Sequence, residues 1–314
     1  MTDVRIIPIE CKFGPTSAYA YYIDAPEPAL IDTGIAASAS QEIRTVLEEN
    51  GFRIEDIQWI LLTHGHVDHL GGAHAVWEKT NRQAKVVIPQ KEAYLLKNRE
   101  LHIRDYENLQ GVHLDEETKV RHKNILLTDI GDSLEPALEV AEGDKIDLGA
   151  GITLTVIETP GHSLGSVTFI LDGANYAFAA DAVQVCGGAL SGIPTIESPA
   201  LYRKSIERLI ELNPVRLYLG HYFRNAAGKV YDAVIEGADV ESALRDSLAM
   251  DAKLAQLMKQ HVGQPVEESV YGKYGAVAEV LQYKGDPRNL PCAFFVTVSG
   301  YEKELTFVEG GTTR

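Results

Sequence analysis

From Trp59 to Gly72 the chain reads Trp-Ile-Leu-Leu-Thr-His-Gly-His-Val-Asp-His-Leu-Gly-Gly, so an apolar, strand-like run leads directly into three imidazoles and a carboxylate within six residues. Histidine is the commonest protein ligand for zinc and iron, and a neighbouring carboxylate adds a hard oxygen donor and negative charge. Two histidines two apart on extended backbone, His64 and His66, can face the same side. Asp68 and His69 fall where a helix can start and turn toward a second position. The stretch reads as one loop serving two metal ions. A solvated polar loop would account for one histidine but hardly for three.

A site for two ions needs more donors than this loop holds, and the downstream sequence supplies them. Thr159-Pro160-Gly161-His162-Ser163 follows the apolar segment Ile152 to Ile157. Ala179-Ala180-Asp181-Ala182 follows Tyr176 to Phe178, and Leu219-Gly220-His221-Tyr222 follows Val215 to Tyr218. Each candidate ligand stands just past a β-type run, where loops on a rigid sheet carry chemistry.

The order His-x-His-x-Asp-His, then Pro-Gly-His, then Asp, then Gly-His resembles the metallo-β-lactamase superfamily over roughly residues 4 to 225. Ile31-Asp32-Thr33-Gly34 matches that superfamily's early turn, where the aspartate supports the site from behind the ligands. The resemblance implies His64, His66 and His162 on one metal, Asp68, His69 and His221 on the other, and Asp181 bridging. It implies two divalent ions, zinc first, with iron or manganese as alternatives. In the implied chemistry a hydroxide bridging the ions attacks a carbonyl, and Asp68, besides binding metal, orients the nucleophile or carries its proton to the leaving group. Superfamily members include thioesterases, lactonases, β-lactamases, nucleases and redox enzymes, so the fold alone does not choose the substrate.

Departures from subfamily patterns narrow the choice. Asp181 stands where several β-lactamase branches place cysteine, and Cys186 comes five residues too late to replace it. Gln184 stands where the acyl-homoserine-lactonase branch often has tyrosine. The Thr-His-x-His-x-Asp-His-x-Gly-Gly form is similar to the glyoxalase-II-like hydrolases, whose substrates are thioesters. The expectation is a dinuclear metallohydrolase of a small thioester or ester, with a lactonase on the same site as the alternative. From other classes stand an iron-dependent redox enzyme and a regulatory metal-binding protein. Ser163 lacks a matching base and oxyanion signature and is read as a loop residue. Gln184, Cys186 and Tyr222 are the candidates for the substrate cleft, and Phe223 is paired with Tyr222, with simple packing as the alternative for Cys186, Tyr222 and Phe223.

Composition bounds the partners. A formal charge of −16 with no basic run disfavours nucleic acid, because phosphate backbones are repelled unless Lys and Arg gather into a patch. A small-molecule substrate is expected instead. No apolar run approaches the roughly 18 residues of a membrane span, and no signal peptide is read at the N-terminus. Three widely spaced cysteines, Cys11, Cys186 and Cys292, argue against a disulfide framework and fit a cytoplasmic protein.

Along the chain, strand and helix signals alternate in two β-rich halves with outer helices, which predicts an α/β (α+β) fold, a four-layer αβ/βα sandwich. Helices are expected over Ser38 to Asn50, Gly72 to Thr80, Gln90 to Lys97 and Pro199 to Leu212, with Arg216 to Leu219 as the final strand. The catalytic domain is placed at residues 1–228 and a helical C-terminal appendage at 229–314. The appendage is read as one broken or two successive amphipathic helices from Ala233 to Met258, another from Val270 to Tyr283, and Ala293 to Val298 as helix or strand. It either walls the cleft, makes a homodimer contact or covers the sandwich. The polar stretch of about forty residues at 98–138 is too long for a simple connection and is read as a lid with its own helices, with a disordered insertion as the alternative. Its histidines His102, His113 and His122 are taken as surface residues.

Overall fold

The computed structural model describes residues 4–110, 113–188, 192–286, 290 and 293–310, so Cys292 lies outside the described residues. In the first half, β1 (Ile6–Phe13) and β2 (Thr16–Ile23) form a hairpin that leads to β3 (Ala29–Ile31), α1 (Arg44–Glu49), β4 (Trp59–Leu61) and α2 (Val67–Leu70). Next come α3 (Ala73–Lys79), β5 (Lys85–Pro89), α4 (Ala93–Lys97), α5 (Arg99–Gln110), α6 (Glu116–Asp129) and β6 (Leu138–Val140). The second half runs through β7 (Lys145–Asp147), β8 (Thr153–Glu158), β9 (Val167–Leu171), β10 (Tyr176–Ala180), α7 (Pro199–Leu212) and β11 (Arg216–Leu219). It ends with β12 (Val234–Glu236), α8 (Ala238–His261), α9 (Gly275–Leu281) and α10 (Ala293–Gly310). Among the described residues these strands make two six-stranded sheets, in the orders β1-β2-β3-β4-β5-β6 and β12-β11-β10-β9-β8-β7.

Side-chain alternation along each strand makes the layers. Ile60 and Leu62 point outward to Leu47 of α1 and Val76 of α3, whereas Trp59 and Leu61 point inward to meet Phe169, Phe178 and Tyr218 of the opposite sheet. The far face of the second sheet presents Ala177, Leu217 and Leu219 to Tyr202 and Ile206 of α7 and to Leu244 of α8. The result is the expected four-layer αβ/βα sandwich. Burying one side chain such as Leu61 contributes about 2 kcal/mol. A one-residue slip would turn that face to the wrong layer, so the register is fixed.

That register positions the site. Because β3 and β4 run parallel, with Ile31 opposite Leu61, Asp32 and the His64 loop leave the first sheet at the same rim. Because β10 and β11 also run parallel, with Ala180 opposite Leu219, Asp181 and His221 leave the second sheet together.

Three expectations need correction. Arg216–Leu219 is not the final strand: Val234 to Glu236 pairs antiparallel with it, because the β-branched Val234 and Ile235 complete the sheet edge. The amphipathic stretch that follows is neither broken nor double but one 24-residue helix, α8. The histidines of 98–138 are not all on the surface, since His102 and His122 are buried and His113 is half-buried, its ring stacked on Phe295 of α10 at 4.4 Å. Although 98–138 is polar in composition, its two helices turn Ile103, Tyr106 and Leu126 inward onto Phe13 and Val67, and the two buried histidines go under with that face. Ala293 to Val298 resolves as helix, within α10, which packs against α5, α7 and α8. Among the described residues no helix is long and apolar enough to cross a membrane.

Candidate metal centre

Two residues at the rim turn the chain with left-handed backbone despite carrying a Cβ, Asp32 at φ 58° and Ala180 at φ 42°. Such conformations cost of order 1–3 kcal/mol and persist where the surroundings hold them. At Asp32 the holding groups are explicit. Oδ1 accepts the Thr63 N–H at 2.8 Å, while Oδ2 accepts the Thr63 hydroxyl at 2.8 Å and faces Nδ1 of His69 at 2.9 Å. Asp32 therefore ties the start of the histidine loop to its end.

The seven side chains singled out from the sequence converge. Donor atoms of His64, His66 and His162 lie within 4.8 Å of one another, as do those of His64, His69 and Asp181 and those of Asp68, His69 and His221. Nε2 of His162 stands 2.7 Å from Nδ1 of His66 and 3.2 Å from Nε2 of His64. The Asp181 carboxylate reaches both groups, 3.4 Å from His162 Nε2, 3.3 Å from His221 Nε2 and 3.6 Å from His69 Nε2. Asp68 Oδ2 lies 3.2 Å from His221 Nε2.

Hydrogen bonds on the outer side of the rings decide what the inner nitrogens can do. Nδ1 of His69 donates to Asp32, Nδ1 of His162 to the Thr195 carbonyl at 2.9 Å, and Nδ1 of His221 to the Ser17 carbonyl at 2.6 Å. The Thr63 hydroxyl is already committed to Asp32, so it accepts from Nδ1 of His64 at 3.0 Å. Each of these four rings thus keeps a proton on its outer Nδ1 and turns Nε2 inward, the nitrogen that a metal ion would take. The Gln184 amide nitrogen, 2.9 Å from His162 Nδ1, is a neighbour of that nitrogen and donates to Asp181 Oδ2 at 2.9 Å.

The electrostatics divide the cluster. Burial, aided by the neighbouring rings, drives His64 well below the ordinary histidine value, and burial with the His162 charge lowers His66 to about 4. Burial opposes ionisation of Asp68, but the His69 charge and the His221 hydrogen bond outweigh it and hold the carboxyl at about 2. Burial likewise opposes charge on His69, yet Asp68, Asp181 and Asp32 together raise it to about 9. Two buried carboxylates therefore demand positive charge where converging lone pairs offer ligation. Oδ1 of Asp181, fully buried, has no hydrogen-bond partner. This donor set fits divalent cations, with the three-histidine group and the mixed group joined through Asp181.

Two glycines are required by close approach. A Cβ on Gly220 would lie 1.9 Å from Asp181 Oδ1, and one on Gly161, at φ 143°, would lie 2.4 Å from the Tyr202 backbone nitrogen. Gly161 thus lets the His162 loop sit directly on the start of α7.

Sequence reasoning missed Glu92. Its buried carboxylate accepts the Gly65 N–H through Oε2 and the Gly165 N–H through Oε1, the latter at 2.8 Å, stapling the His64–His66 loop to the His162 loop. Its position after β5, far from both loops in sequence, gave no local signal. The Ser17 and Thr195 anchors are backbone carbonyls and carry none at all.

The donors open into a cavity of about 400 Å³, within the range of small-molecule sites. His66, Asp68, His162, Asp181, Gln184 and His221 line it. Of the three cleft candidates, Gln184 stands at its wall, and its Oε1 also accepts the Thr195 N–H. Cys186 is not at the wall: its side chain packs between the core beneath β10 and β11 and the core of α8 to α10. Tyr222 turns away too, its ring set edge-on to Tyr19 at 5.0 Å, and the next residue, Phe223, lines the cavity instead. Successive residues of an extended segment point to opposite sides, so of this pair Phe223 walls the cavity and Tyr222 packs.

Comparison with known proteins agrees with this geometry. Curated relatives include a hydroxyacylglutathione hydrolase of Rhodopseudomonas palustris (strain BisB5), 29% identical over 273 residues, which cover 84% of this chain and 80% of that protein. Another, from strain BisA53, is 26% identical over 298 residues, covering 94% and 89%. Among solved structures, a metallo-beta-lactamase family protein of Thermus thermophilus superposes with a TM-score of 0.70 at 21% identity, covering 97% of this chain and 95% of that one. A beta-lactamase domain protein of Burkholderia ambifaria gives 0.65 at 18% identity, covering 98% and 88%. The family model described as Metallo-beta-lactamase superfamily matches residues 13–221, a span that holds every converging histidine and aspartate, and the chain belongs to that superfamily.

Proposed function

We propose that this protein is a metal-dependent hydrolase that cleaves an acyl thioester. The observation that carries the reading is the convergence of five histidines and two aspartates, with four Nε2 atoms turned inward by outer hydrogen bonds, at a small-molecule cavity. The relatives named hydroxyacylglutathione hydrolase support the thioester, since that name describes cleavage of an acyl group from a thiol.

His64, His66 and His162 would hold one divalent ion, Asp68, His69 and His221 the other, and Asp181 would span them. When bound, the ions supply Lewis acidity at the acyl carbonyl and bring the pKa of water toward neutrality. The chain's own residues do the rest. Gln184 holds one oxygen of Asp181, while Asp32 and Glu92 keep the ligand loops in register. Asp68, which lines the cavity, takes a proton from the attacking water and passes it to the departing sulfur. The C–O bond forms as the C–S bond breaks, giving a carboxylic acid and a free thiol.

The test is hydrolysis by zinc-, iron- and manganese-loaded protein across matched acyl thioesters, lactones and β-lactams, with Asp181→Ala as control. Thioesters should give the highest kcat/KM, with at least one of the ions, and the variant should be inactive. A maximum on lactones would move the assignment to lactonase, and silence across the panel would overturn the hydrolase reading.

A further inference from the structure

The wall of the cavity beyond the metal ligands is apolar and comes from parts of the chain distant in sequence. Phe13 ends β1, Tyr106 lies on α5, Ile193 follows the Asp181 loop, Phe223 follows His221, and Leu290 and Val296 come from the C-terminal segment. All six are less than a tenth exposed, so the apolar surface they give the cavity is buried. The polar side chains Thr16 and Thr195 sit next to the donor cluster, adjoining the Ser17 carbonyl and supplying the His162 anchor. Among the described lining residues the only lysine or arginine is Lys284, which is exposed, and Asp286 lies beside it on the same wall.

The geometry points to a specific substrate class: an uncharged, unbranched aliphatic acyl group of several methylenes, bound along the wall formed by α5 and α10, on a thiol of low charge. This deepens the thioesterase reading and rests on it. A short hydroxyacyl group would leave this apolar surface without a partner, and its hydroxyl could meet only the few polar side chains of the lining, Thr16, Gln184, Thr195, Tyr106 and Tyr283 among them. Among the described lining residues a polyanionic carrier would meet one exposed cation, on a chain of formal charge −16. Burying each methylene against such a wall improves binding about fourfold. Helices α5 and α10 thus measure the acyl chain, while the sandwich supplies the chemistry.

The experiment is a chain-length series of N-acetylcysteamine thioesters, acetyl through decanoyl plus lactoyl, on the metal-loaded full-length protein. Alongside it, calorimetry compares octanoate with butyrate, in wild type, Val296→Trp and Val296→Ala. The expected result is a rise in kcat/KM of about fourfold per methylene up to the length that fills the cavity, with lactoyl below butyryl. Octanoate should bind more tightly than butyrate. Val296→Trp should lower the octanoyl-to-acetyl ratio at least tenfold, and Val296→Ala should shift the optimum to a longer chain. Turnover of acetyl and lactoyl thioesters with a flat or falling length dependence would overturn the acyl wall and leave the hydrolase standing. If no thioester is turned over, the hydrolase reading fails and the binding data decide the wall: a preference for octanoate that is lost in Val296→Trp upholds it, and equal affinity for the two acids overturns it.

Discussion

Asp32 Oδ2 stands 2.9 Å from Nδ1 of His69, and both side chains are almost completely buried. The carboxylate fixes the ring's tautomer and raises its basicity as a ligand. Loss of such an anchor typically costs 10–100-fold in metal affinity. Asp32→Asn should therefore weaken metal binding by about that factor in a chelator competition while leaving far-ultraviolet circular dichroism unchanged. Unaltered affinity would remove Asp32 from the site.

Glu92 acts on the backbone rather than on a ring. An amide in its place has one acceptor oxygen, so Glu92→Gln leaves one of the Gly65 and Gly165 N–H groups facing a donor. Hydrogen bonds to a charged group contribute about 1.5–3 kcal/mol each. The variant should lose about that much unfolding free energy in urea and release metal faster. Wild-type stability and release would contradict the stapling role.

Gly220 leaves no space for a methyl group beside Asp181. Gly220→Ala should push the Asp181 carboxylate off its position, and a displacement of about 1 Å at a reacting centre can cost about 100-fold in rate. Steady-state kinetics of the folded variant should show that loss mainly in kcat. Full activity would mean that the carboxylate tolerates the shift.

Burial, followed by the charge of Glu92, raises the Glu197 carboxyl from the ordinary 4.5 to about 7. Between those values the folded chain keeps a proton that the unfolded chain has released. This contribution to stability is therefore complete below pH 4.5, declines as pH rises and is gone above about 7. Glu197→Gln should abolish that component. The difference in unfolding free energy between wild type and variant should change across this window and be flat on either side. A difference independent of pH would show that Glu197 titrates normally.

The parts of the site legible in the sequence were those whose chemistry is rare outside such sites. His64, His66, Asp68 and His69 fall in one short stretch after a strand, and His162, Asp181 and His221 each follow another strand, so strand ends and residue types together gave the converging set. The four-layer sandwich followed from the same alternation of strands and helices. What stayed hidden depends on tertiary packing. Val234 and Ile235 fell within a run with helix-face spacing, and only pairing with β11 makes them a strand. His102 and His122 lie in a polar segment whose buried face is visible only once α5 and α6 dock. Tyr222 and Phe223 differ by one residue, and backbone direction decides which of them meets the cavity.

The most direct test of the central claim is the metal content and acyl-thioester turnover of the same sample, before and after stripping with chelator and in His66→Ala. Two ions per chain, as in two-metal hydrolases, should accompany activity in the wild type. Stripping should abolish turnover and reloading should restore it, and His66→Ala should hold fewer ions and turn over no thioester. Undiminished hydrolysis by metal-free protein, or a fully loaded and fully active His66→Ala, would contradict the account.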